Sequence, residues 1–158
     1  LLASRAFFSA ASYRALVKSP IDYVIGLVRA FDARPDFTRL ADACGRMGQA
    51  LFEPPGVQGW EDGPAWIHTA AWIERANFAA EAASGSSTVL RGAAFDRLLP
   101  PLRRNAPDTL LEDLVSALLD GELDPERRAA LLARLPAPPA LLPAAAHAVL
   151  CLPEHHLA

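Results

Sequence analysis

Leu51-Phe52-Glu53-Pro54-Pro55-Gly56-Val57-Gln58-Gly59-Trp60-Glu61-Asp62-Gly63-Pro64-Ala65-Trp66 decides the reading of the fold, because it is the one long interruption in a chain otherwise patterned for helices. A residue before proline avoids the helical region, so the preceding helix is expected to stop at the Phe52–Pro55 boundary. Gly56, Gly59 and Gly63 supply turn points, and Pro64 suits the first position of a new helix. Two of the three tryptophans lie inside the stretch. It is therefore expected to be a structured loop, anchored by Trp60 and Trp66, that fixes the geometry of the helices ending at Leu51 and starting at Pro64.

The pattern on either side is helical. Upstream, Phe37, Leu40, Cys44, Met47 and Leu51 recur at steps of three and four behind an Asp36 cap, with Ala41, Gly45 and Gly48 as a small-residue flank. Earlier still, Ser19-Pro20 with Asp22 in the first turn marks a sharp helix start. Ile21, Val24, Ile25, Val28 and Phe31 form one apolar face of that helix and Tyr23 and Leu27 a second, so it is a central helix, with Gly26 admitting a close neighbour. Leu1 to Ser9 reads as a helix end. Downstream, the helix from Pro64 runs to Ala83.

Residues 84–107 read as an irregular, linker-like segment, with a turn at Ser84-Gly85-Ser86-Ser87 and a short helix around Phe95, Leu98 and Leu99. Over 108–158, Asp108 caps a helix carrying Leu111, Leu114, Val115 and Leu118 and stopped by Gly121. Asp124-Pro125 starts another, with Leu131, Leu132 and Leu135. The last carries Leu142, Ala146, Val149 and Leu150 and ends at Pro153-Glu154-His155-His156. Neither a strand nor an internal repeat is evident. The expected fold is all-α, an irregular bundle of about six or seven helices around a long Pro/Gly/Trp-rich loop. Residues 1–158 are either a single helical domain or the C-terminal part of a larger one.

Composition agrees and narrows the functional classes. At 158 residues and 52% apolar the chain can bury a core without staples. Thirty-two alanines suit helices rather than sheets. A net charge of -3 gives no electrostatic case for nucleic acid, and no apolar run is long enough to span a bilayer. Cys44 and Cys151 sit among apolar neighbours and read as buried thiols without a disulfide framework. The chain begins without Met and reads as part of a longer protein, which leaves export undecided.

Several unusual words carry a resemblance. Val17-Lys18-Ser19-Pro20-Ile21-Asp22-Tyr23-Val24 followed by Arg29-Ala30, then Gly48-Gln49 through Gly59-Trp60, then Ala65-Trp66-Ile67 and Arg75-Ala76-Asn77-Phe78, occur in order. Together they resemble the bacterial family of domain of unknown function 1800, and Leu152-Pro153-Glu154 is similar to that family's Ser-Pro-Glu-Phe ending. The resemblance covers residues 1–83 well and the remainder loosely, and implies the C-terminal portion of the family domain. It brings no activity to carry over; it implies only a frequent tendency to export and a gene neighbour of another unknown family.

Candidate chemistry centres on the loop. Glu53 and Glu61 with Asp62 could serve acid–base work, and His68 could act as a general base; the plainer reading makes Glu61-Asp62-Gly63 a polar turn and His68 an interfacial hydrogen-bonding group. Lys18, Arg29 and Arg75 could present an anion-binding face near helix N-termini, while Ser19 beside Lys18 is more simply a cap. Trp60 and Trp72 could line a groove for sugar or peptide, against core packing; Trp66 reads as core. His155-His156 with Glu154 lacks a third ligand, so no metal or other cofactor is implied. Arg91, Arg97, Arg103 and Arg104 read as a solvated basic face.

Three functions follow as expectations. The first is a helical structural or interaction module whose partner is another protein or the N-terminal half of its own chain. The second is a hydrolase-type enzyme whose pocket is shared with that half. The third is a carbohydrate- or peptide-binding module using exposed tryptophan.

Overall fold

The computed structural model describes residues 2–85, 89–91, 106–119, 121 and 123–158. Six α-helices occur among them: α1 Pro20–Ala30, α2 Phe37–Arg46, α3 Thr69–Ala83, α4 Pro107–Leu118, α5 Pro125–Leu132 and α6 Leu141–Leu150. The fold is all-α. The expected short helix at Phe95–Leu99 and the side chains of Arg91, Arg97, Arg103 and Arg104 lie outside the described residues.

Local chemistry explains most boundaries. Ser19 and Asp22 form a reciprocal capping box at the start of α1, with Pro20 in the first turn. Asp36 accepts the Arg39 amide at the start of α2, and Asp124 accepts the amides of Glu126 and Arg127 at the start of α5. Helix α2 ends at Arg46 rather than Leu51. Gly48 takes φ +98° there, its N–H donates to Gly45 O at 3.0 Å and the Gln49 N–H to Cys44 O at 2.8 Å. That is a Schellman stop, and glycine alone adopts it without strain.

Other expectations are corrected. Pro64 starts a 3-10 turn, Gly63–Trp66, and α3 begins only at Thr69, capped by His68. Helix α4 has Ala106 at its cap position, with Asp108 inside the first turn. Residues 2–9 form turns, not a helix end. Gly26 is exposed, with no neighbour near its missing Cβ. Phe37 and Leu51 are exposed, so only Leu40, Cys44 and Met47 of that stripe are core. Two-residue strands Arg34–Pro35 and Leu90–Arg91 pair antiparallel, although no strand was evident in the sequence.

The core lies between α1, α2, α3, α4 and α6. Tyr23, Val24 and Leu27 of α1, with Phe31 at its C-cap, share one buried cluster with Leu40, Ala43 and Cys44 of α2 and Phe78, Ala79, Ala82 and Ala83 of α3. Leu110, Leu111, Leu114 and Val115 of α4 meet Leu141, Ala145, Ala146, Val149 and Leu150 of α6 in the same cluster. Helix α6 packs on both α3 and α4, and its run of alanines lets the three backbones approach closely. The two ends of the chain also meet. Leu16 and Ala158 exchange N–H···O bonds of 3.1 and 2.8 Å, and the Lys18 N–H donates to His156 O at 2.8 Å. No helix among the described residues is long and apolar enough to cross a membrane.

Candidate functional site

Two constellations hold the polar and aromatic residues that the sequence singles out. The first is buried and centres on Arg75. Its side chain is fully buried on α3, and no carboxylate among the described residues pairs with it. Instead, Nη2 donates to Lys18 O at 2.7 Å, Nη1 lies 3.4 Å from His156 Nδ1, and the guanidinium sits 5.0 Å from the Tyr23 ring centroid. Nε has no partner. A carbonyl, a π face and an imidazole lone pair thus replace water around a cation, each contributing about 1–3 kcal/mol.

The turn Pro153–His156 closes this cluster. The His156 ring stacks on Tyr23 at 5.0 Å and meets Trp72 at 4.6 Å, while His155 packs edge-on to Tyr23 at 5.7 Å. Tyr23 Oη donates to Arg75 O at 3.1 Å, and Lys18 Nζ donates to His155 O at 2.8 Å. Partner chemistry sets the tautomers: His155 Nδ1 faces Leu118 O at 3.3 Å and must donate, whereas His156 Nδ1 faces a guanidinium and must accept. Burial, reinforced by Lys18 and Arg75, lowers His155 to about 4. Burial with Arg75 and His155 lowers His156 to about 3. Burial also raises Tyr23 and lowers Arg75. Both imidazoles are therefore neutral at physiological pH.

The second constellation is open. A cleft of about 270 Å³ lies between the end of α2 and the start of α3, lined among others by Met47, Pro55, Trp60, Glu61, Trp66 and His68. It adjoins a groove of about 430 Å³ along Pro55–Glu61 that shares Pro55, Trp60 and Glu61. The loop that builds both is pinned at each end. Upstream, the buried Gln49 side chain accepts the Ile21 N–H at 3.0 Å, adding a cap to α1. Downstream, His68 Nδ1 accepts the Ala71 N–H at 3.3 Å.

Each expected site residue now has a place. Glu61, Trp60 and His68 come together at the cleft, with Trp60 half-buried. Glu53 is exposed and does not line it. Lys18 and Arg75 meet in the buried cluster, but Arg29 is exposed in the last turn of α1, about 14 Å along the helix axis from its start. Trp72 is half-buried against His156, and Trp66 is buried. Cys44 is buried and Cys151 half-buried, neither in a disulfide, and burial raises both thiols. No three potential metal ligands converge among the described residues.

Sequence reasoning passed over Gln49 and Tyr23 as functional groups, and weighed His155 and His156 only as metal ligands. Gln49 and Tyr23 stood in the words that carry the resemblance, and that was the available signal; their hydrogen-bond partners are 28 and 52 residues away. The buried cluster joins three of those words: Lys18 and Tyr23 from the first, Arg75 from the third, and the ending Leu152-Pro153-Glu154 through the histidines that follow it. A family model described as protein of unknown function (DUF1800) matches residues 1–157. No curated protein and no solved structure matches the chain.

Proposed function

Because the chain belongs to the DUF1800 family, whose description names no activity, we propose from its own geometry that it is a helical interaction module. A rigid bundle holds the Leu51–Trp66 loop outward for a protein partner. The observation that carries this reading is Phe52. It is 94% exposed and sits at φ +63°, a left-handed conformation that costs a bulky side chain about 1–2 kcal/mol. Neither burial nor backbone preference favours a phenylalanine there. Unoffset local strain at an exposed aromatic supports a role in contact with something else. Val57, fully exposed on the same loop, points the same way.

The buried cluster supports the rigid half of the reading. Its cation and imidazoles are enclosed by Tyr23, Trp72 and the closing turn, which suits a latch between chain ends rather than a site that admits substrate. The test pairs two readouts on the full-length protein. F52N should leave stability unchanged or raise it by about 0.5–1 kcal/mol, since Asn tolerates the left-handed region. A benzophenone side chain at position 52 should give a discrete adduct in cells, competed by unmodified chain but not by F52N. A destabilised F52N, or an adduct pattern equal to that from exposed Ala130 on α5, refutes the proposal.

A further inference from the structure

We infer that the cleft beside Trp60 receives a cationic side chain, the arginine or lysine of a partner's basic segment, with Glu61 as its counter-charge. The inference rests on the interaction reading and names the partner's chemistry. The cleft is small: about 270 Å³ falls below the range that encloses drug-sized ligands and suits one long side chain. Met47, Pro55, Trp60 and Trp66 give it apolar and aromatic walls, and Glu61 and His68 are the charged and polar groups on its lining. An apolar stem with a cationic head matches that division, because tryptophan is the best π partner for a cation and a carboxylate completes the pair.

Charge across the whole segment agrees. No Lys or Arg occurs between Arg46 and Arg75, while Glu53, Glu61 and Asp62 all lie on the loop. The one other acid in that span, Glu74, pairs with Arg46 at 2.9 Å. A basic guest therefore meets attraction from the loop, and among the described residues no cation pairs with Glu61. His68 adds direction. Its Nδ1 accepts a backbone amide, so the neutral ring carries its hydrogen on Nε2, a donor for a guest's carbonyl beside Gly48. The adjoining groove along Pro55–Glu61 leaves room for residues flanking the cation.

NMR titration of the full-length protein tests this with N-acetyl-Gly-Arg-Gly-amide and its neutral citrulline counterpart, reading the Trp60 indole N–H, assigned through W60F. The arginine peptide should shift Trp60 saturably and leave Trp72 in place. Binding should weaken at least about tenfold with citrulline and in E61Q. Equal affinity for citrulline, undiminished binding by E61Q, or a Trp60 shift produced only by a neutral oligosaccharide overturns the inference. A Trp60 signal unmoved by the arginine peptide overturns it as well. If the position-52 adduct persists in that case, the interaction reading stands alone; if the adduct is also missing, both fall.

Discussion

Mild acid should release the C-terminal turn from the bundle. His155 and His156 are buried, with folded pKa values lowered from 6.5 to about 4 and about 3 by burial and by the Lys18 and Arg75 charges. In the unfolded chain both titrate near the ordinary value, so below that point the unfolded state binds protons that the fold refuses. The stability of the neutral pair is therefore fully present above about pH 6.5 and is lost as pH falls toward the folded values. Each histidine costs about 1.4 kcal/mol per pH unit in that window. Two of them remove about 4 kcal/mol between about pH 7.5 and 5, against a typical total of about 5–15 kcal/mol. Tyr23 and Cys151, two further titratable groups in the surroundings, are driven further toward neutrality by burial and do not offset the loss. Urea melts followed by far-UV circular dichroism across that range measure it. The H155Q/H156Q double variant should flatten the dependence, because glutamine can donate to Leu118 O and accept from Arg75 without taking a proton. Equal stability at both ends of the range, or an undiminished slope in the double variant, would refute the reasoning.

Two further outcomes probe the loop's anchors. Gln49→Ala removes the acceptor of the Ile21 N–H and should cost about 1–2 kcal/mol in thermal or chemical denaturation, a loss that Gln49→Glu should largely avoid. Trp66→Ala should cost about 3–5 kcal/mol, since that ring is buried, whereas half-buried Trp60→Ala should cost no more than about 2 kcal/mol on the same scale. Equal losses at the two tryptophans would mean that both rings plug the core.

The sequence by itself determined the helical class, the family membership and three of the six helix starts among the described residues. Those rest on signals that act within one turn: the Ser19–Asp22 box, Asp36 and Asp124 as caps, and the spacing of Leu40, Cys44 and Met47. Even the early stop of α2 was latent in Gly48, though a five-residue continuation of the apolar pattern to Leu51 concealed it. What only the tertiary structure decided is which distant groups share a site. Adjacent His155 and His156 offered only an incomplete ligand set in the sequence, yet the Tyr23 ring meets one by its edge and the other by its face. Arg75 looked like part of an exposed cationic face and is instead the buried centre that holds Lys18 and His156 together. The Trp60 loop, read as an anchored connector between two helices, is fixed at its ends but turns Phe52 and Val57 to solvent. The physical reason is range. Capping and periodicity depend on neighbours within a few residues, whereas desolvation of a cation or an imidazole depends on what the rest of the chain brings against it.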